Sequence, residues 1–119
     1  MKVGIDILEI ERFCEIEKDE VKIKKMFTEK EIAYFNKFQH KLSHIAGTFC
    51  AKEAFVKALK TGFTKDISLL DVEILHKENG APYINLNNEK IKNLLSSNAK
   101  VDISISHCQT TATAICIIF

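Results

Sequence analysis

Three residues of this 119-residue chain could act together on a phosphate: Asp6, Glu53 and Lys57, with His107 as a fourth group of interest. Two carboxylates and a lysine are the set needed to hold Mg2+ on a phosphate or pyrophosphate. Mg2+ takes oxygen ligands and keeps waters and phosphate oxygens in its octahedron, so one or two protein carboxylates suffice. The lysine then neutralises charge on a leaving phosphate. Glu53 and Lys57 stand four apart, so on a helix they project from one side. Taken by itself that spacing reads as a surface ion pair contributing ~0.2–0.5 kcal/mol. No Gly-rich phosphate loop, HExxH, GxSxG or CxxC pattern is present, which leaves this set as the chemistry to place. Cys14, Cys50, Cys108 and Cys116 read as free thiols that behave as small hydrophobes.

The stretch from Gly47 to Lys60 is the element that must position Glu53 and Lys57. It has no proline and no glycine after Gly47, and Ile45, Phe49, Val56 and Leu59 fall near one stripe. Ala51, Phe55 and Ala58 widen that stripe until the helix is too apolar for a surface helix. Ser43 is the expected cap and Gly62 the expected left-handed stop of a helix of about 18 residues, or ~27 Å. Asp6 lies in a short first strand, Lys2–Leu8, where Val3, Ile5 and Ile7 alternate with Gly4 and Asp6. Aspartate suits strands poorly. It either occupies the solvent face of the alternation or is held by the sheet for a ligand, and Gly4 beside it would let a backbone or a ligand approach closely.

The remaining elements follow from period and punctuation. A short helix opens at Glu9, and the mixed-charge run 17–25 reads as a solvated face or connector. Arg12, Lys22, Lys24 and Lys25 could make a basic surface for an acidic partner. Thr28 and Glu31 fit a capping box before a helix bearing Ile32, Phe35 and Phe38. Two hairpins, 72–86 around Glu78-Asn79-Gly80 and 101–119 around Cys108-Gln109-Thr110, flank a helix carrying Ile91, Leu94 and Leu95. Ser106 and His107 stand at a strand end. The order predicts one α+β domain over residues 1–119, a mostly antiparallel sheet packed on one face by helices around one long central helix. Seventeen basic against sixteen acidic residues argue against a nucleic-acid binder, and no apolar run is long enough to span a membrane. The N-terminal residues lack a signal peptide's apolar segment, so a cytoplasmic protein is expected.

Five blocks together resemble a known family: Gly4-Ile5-Asp6-Ile7-Leu8-Glu9-Ile10-Glu11-Arg12, Phe27-Thr28-Glu29-Lys30-Glu31, Ala46 to Ala58 with its Phe49-x-x-Lys52-Glu53-Ala54-x-x-Lys57-Ala58 core, Asn79-Gly80-Ala81-Pro82-Tyr83, and Ile103-Ser104-Ile105-Ser106-His107. In this order they are similar to the holo-(acyl-carrier-protein) synthases, the small bacterial 4'-phosphopantetheinyl transferases. The resemblance implies that coenzyme A donates its phosphopantetheine arm to a serine of apo acyl carrier protein, in fatty acid biosynthesis, releasing 3',5'-adenosine diphosphate. It implies Asp6 and Glu53 as Mg2+ ligands, with Glu53 and Lys57 catalytic. Lys57, Ser106, His107, His40 and Lys41 would contact coenzyme A, and Arg12, with Lys22, Lys24 and Lys25, the carrier protein. It further implies a homotrimer with sites between subunits. Many members of that family carry arginine where Thr48 stands and glycine where Lys60 stands. From the residues alone, two other readings stay open: a non-catalytic nucleotide or coenzyme A binder, and a thioesterase-like enzyme with a long helix wrapped by a sheet.

Overall fold

The computed structural model describes all 119 residues, and its longest element is the central helix, α4, Leu42–Leu59. Before it come strand β1 (Lys2–Glu9), a 3-10 turn (Ile10–Phe13), and the short helices α1 (Cys14–Glu17), α2 (Glu20–Met26) and α3 (Glu29–Phe35). After it come hairpin β2–β3 (Val72–His76 and Pro82–Leu86), α5 (Glu89–Leu94), and hairpin β4–β5 (Val101–His107 and Thr111–Ile118). The antiparallel strands form a three-stranded sheet in the order β1-β5-β4 and a separate two-stranded sheet, β2-β3, rather than one sheet. The architecture is α+β with one long central helix, as expected from the order of elements.

α4 is buried on nearly every side because it packs against the three-stranded sheet on one side and against the 3-10 turn and β2 on others. Its small residues set the closeness of that packing. A Cβ at Gly4 would lie 2.0 Å from the carbonyl oxygen of Ala54 and 2.6 Å from the amide nitrogen of Ala58. The backbone of β1 therefore rests directly on the backbone of α4, and only glycine fits there. The close approach anticipated at Gly4 is made by a backbone.

That contact decides which face of β1 points inward. Gly4, Asp6 and Leu8 face the helix, while Val3, Ile5 and Ile7 are 50%, 62% and 68% exposed. Alternation alone would put the aliphatic row inside. The opposite register holds because the helix approaches too closely for a row of β-branched side chains. Asp6 is accordingly on the inner face, not the solvent face.

The helix ends also differ from expectation. α4 starts one residue before Ser43, with Lys41 as a cap that makes no side-chain hydrogen bond. It stops at Lys60, which takes a left-handed conformation (φ 69°) and donates its amide to the carbonyls of Lys57 and Val56; Gly62, the expected left-handed stop, also has a positive φ (65°), two residues further on. Residues 20–26 are helical rather than a connector: Asp19 caps α2 by accepting from the amides of Val21 (3.1 Å) and Lys22 (3.2 Å). The Thr28–Glu31 capping box is formed as expected.

Glu31 does more than cap. It is 1% exposed and pairs at 2.8 Å with Lys52, which has no exposure at all. The Lys52 ammonium also donates to the carbonyls of Met26 (3.0 Å) and Leu69 (2.7 Å), which uses its three N–H groups. The second Glu31 oxygen accepts from the Ile74 amide at 2.8 Å. Burial pushes the Glu31 carboxyl up and the Lys52 ammonium down, and their pairing opposes both shifts. This knot ties α2, α3, the 3-10 turn Leu69–Asp71 and β2 to the face of α4 adjoining Glu53.

Candidate active site

β1 presents Asp6 and α4 presents Glu53 and Lys57 to one shared patch, because the Gly4 contact brings strand and helix together immediately beside it. Lys57 Nζ donates to Asp6 Oδ1 at 3.0 Å and to the Ile5 carbonyl at 3.1 Å. The surface pair between Glu53 and Lys57 that the spacing favours does not form; Lys57 reaches across to the strand instead. Its side chain is 51% exposed and that of Asp6 is 15% exposed.

Glu53 is half-buried in the same patch. Its carboxyl is held above the usual range first by burial, then by the negative charge of Asp6, with Lys57 and Arg12 opposing. Arg12, on the 3-10 turn, therefore belongs to the field of this cluster. Cys50, one turn before Glu53, donates toward the Ala112 carbonyl (3.5 Å), and burial together with Asp6 pushes its thiol up to about 12. It is an inert wall of the patch, not a nucleophile. None of the four cysteines forms a disulfide.

The donor chemistry fits a hard divalent cation. Asp6 and Glu53 offer only carboxylate oxygens, and their mutual repulsion leaves negative charge that Lys57 and Arg12 offset in part. No group of three or more His, Cys, Asp or Glu side chains is arranged as a complete metal cage. Two carboxylates suit Mg2+, which completes its octahedron with waters and ligand oxygens, rather than a structural zinc.

His40, Lys41 and His107 meet elsewhere, around a cavity of about 560 Å³ at the start of α4, together with Glu17, Gln39 and Ser43. Lys41 Nζ donates to Asn36 Oδ1 at 2.9 Å. Ser106 is not part of that cavity; it is exposed and lies in register with Thr113 on β5. Lys22, Lys24 and Lys25 are exposed on α2, and none of them forms an ion pair. Sequence reasoning named Glu31 only as a cap and Lys52 only within a matching block, and it passed over the histidines His44 and His76. The faint signal for Lys52 was a lysine in a helix apolar all round.

Comparison with known proteins matches residues 2–116 to the 4'-phosphopantetheinyl transferase superfamily. The chain is 43% identical over 120 residues to a holo-[acyl-carrier-protein] synthase of Clostridium tetani, covering 98% of this chain and 93% of that protein. Its fold is similar to the Helicobacter pylori holo-[acyl-carrier-protein] synthase solved in complex with coenzyme A. The TM-score is 0.82 at 35% identity, over 98% of this chain and 99% of that one. It is similar also to the Bacillus anthracis enzyme in complex with CoA (3',5'-ADP), with TM-score 0.82 at 29% identity, over 98% and 94% of the two chains.

Proposed function

The chain belongs to the holo-[acyl-carrier-protein] synthases of the 4'-phosphopantetheinyl transferase superfamily, and from that premise we propose how its own residues carry out the transfer. The reaction moves the phosphopantetheine arm of coenzyme A onto a serine of apo acyl carrier protein, in fatty acid biosynthesis. The serine oxygen forms a bond to the β-phosphorus of coenzyme A, the pyrophosphate P–O bond breaks, and 3',5'-adenosine diphosphate leaves. The observation that carries the site assignment is the juxtaposition of strand-borne Asp6 with helix-borne Glu53 and Lys57.

Asp6 and Glu53 are the residues that would hold Mg2+. When bound, the ion would stabilise charge developing on the pyrophosphate oxygens. Lys57 holds Asp6 in place, and its half-exposed ammonium can turn from Asp6 to a phosphate oxygen of the leaving group. The serine proton passes to Glu53, directly or through water. The nucleophile belongs to the protein substrate, in keeping with the inert Cys50. His40, Lys41 and His107 are the proposed coenzyme A contacts around the cavity at the start of α4. Ser106 would act from the sheet's exposed face. Arg12, with the unpaired Lys22, Lys24 and Lys25, would steer an acidic carrier protein.

The experiment is direct. Incubated with coenzyme A, Mg2+ and an apo acyl carrier protein, the protein should add one phosphopantetheine to the carrier by mass, and a chelator should abolish the gain. Transfer at full rate after thorough chelation would remove the metal from the proposal.

A homotrimer is the assembly we favour. The outer row Val3, Ile5 and Ile7, with Ile115 in register beside Ile5, is an apolar sheet face without cover. Sedimentation should give three times the chain mass for the wild type and a smaller species for Ile7→Asp. A monomeric wild type would exclude this assembly.

A further inference from the structure

Lys52 stands next to Glu53 in the chain but does not face the carboxylate cluster. Successive residues of a helix are turned by about 100°. α4 therefore shows Glu53 to β1 while it sends Lys52 into the layer of short helices. There the ammonium meets the end of α2. It donates to the carbonyl of Met26, the last residue of that helix, at 3.0 Å, and lies 5.2 Å from the centre of the Phe27 ring. Phe27 is 1% exposed and meets Phe35 of α3 edge-on (5.0 Å, 86°). The last carbonyls of a helix have no partner within it, and a lysine is a fitting donor for them. The other two N–H groups of Lys52 go to Glu31 on α3 and to the carbonyl of Leu69 on the 3-10 turn before β2.

α2 has little apolar packing of its own. Of its seven residues only Ile23 is buried, and Lys22, Lys24 and Lys25 are exposed. A helix of two turns does not persist on propensity alone. Its place is set by the Asp19 cap at one end and by Lys52 at the other. A well-packed apolar pair in place of Lys52 and Glu31 would hold these layers together at least as firmly, because desolvation offsets most of the attraction within a buried ion pair. Apolar packing lacks direction, however. Hydrogen bonds from one ammonium to three separate elements fix an angle as well as a distance.

We propose that Lys52 is a positioning residue for the protein substrate: it keeps the basic helix α2 pre-set in one place beside Asp6, Glu53 and Lys57, so that an acidic carrier docks without first having to order the helix. This rests on the reading that α2 receives the carrier protein. Lys52 touches no substrate and takes no part in making or breaking a bond. Its effect is on the population of the docking-competent state. A binding surface that is in place only part of the time has its affinity reduced by that fraction. A carrier present at saturation draws α2 back into place, so the loss falls on KM for the carrier and not on kcat.

Kinetics of the whole protein, with apo carrier protein varied at saturating coenzyme A and Mg2+, are the test. Lys52→Met alone strands a buried carboxylate, so the variant is Lys52→Met with Glu31→Gln, its fold checked by circular dichroism. Its KM for the carrier should rise about tenfold, as for a helix in place about a tenth of the time, with kcat and the KM for coenzyme A within about twofold of wild type. A purely structural role would remove folded enzyme, lowering kcat and leaving both KM values alone. An unchanged carrier KM, or an equal rise in both KM values, overturns the proposal. Amide exchange of the free protein gives a readout apart from turnover. The amides of Ile23 and Phe27, bonded to the carbonyls of Asp19 and Ile23, should accelerate in this variant more than those in the middle of α4. Equal acceleration throughout would count against it. Lys24→Glu with Lys25→Glu reverses the charge of α2 and leaves Lys52 and Glu31 alone. It should also raise the carrier KM, without the change in exchange. If it does so while the Lys52 variant does not, only the role of Lys52 is lost. If it has no effect on the carrier KM, α2 is not the docking helix and both readings fall.

Discussion

Asp6→Ala and Glu53→Ala should each lower phosphopantetheine transfer by ~10²-fold or more at saturating coenzyme A, the scale for removing one group that stabilises transition-state charge. Neither substitution should unfold the protein. The one ion pair of Asp6 is with a half-exposed lysine, and such a pair contributes little to stability. The carboxyl of Glu53 is already held up by burial and by Asp6, so its loss relieves repulsion. A second readout separates metal binding from turnover. An ion held by both carboxylates stabilises the folded state by mass action, so Mg2+ should raise the melting temperature of the wild type and not of either variant. Undiminished transfer by both variants would sink the assignment of these residues.

Lys52→Met should be the most damaging single change to stability, at about 3–5 kcal/mol, because it strands a buried carboxylate. Out of a typical total of about 5–15 kcal/mol that is a large fraction. Methionine fills much the same volume, so the loss would report charge rather than packing. The pH dependence has a definite sign. Without Lys52, the folded-state pKa of Glu31 rises further above its unfolded value. Such a group contributes stability at low pH that is lost as pH rises through the folded pKa. Chemical denaturation should therefore find a larger deficit at pH 7 than at pH 5, and Glu31→Gln in the same chain should recover part of it. A deficit equal at both pH values would argue against a stranded carboxylate.

The elements that carry the candidate site were more legible in the sequence than the geometry between them. The first strand, the capping box, the central helix and both hairpins all follow from period and turn residues, since each is a local pattern. The direction in which Asp6 points was not readable. Alternation along β1 gives two faces but no sign, and what chose between them was the clearance between Gly4 and the Ala54–Ala58 backbone, fifty residues and more further along the chain. The partner of Lys57 was hidden for the same reason: the helix offers Glu53 at four residues, but the tertiary contact offers Asp6. Helix α2 was missed because a mixed-charge run has no strong apolar stripe, and its Asp19 cap reads like any loop aspartate. The left-handed Lys60 shows a helix end set by the chain that follows rather than by the residue best suited to it.

The pairing of β1 with β5 sets Lys2 opposite Ile118 and Asp6 opposite Ala114. Nearly the whole chain is thus a loop closed by one ladder. Contacts of such sequence separation reward the chain only after the entropy of closure has been met, and folding slows as they come to dominate. The carboxylate on β1 has no fixed address until the last strand is laid beside it. During synthesis, then, the proposed metal-binding pair is among the last features to exist: a nascent chain would carry Asp6 from its earliest moments yet could not bring it to Glu53 until β5 has emerged.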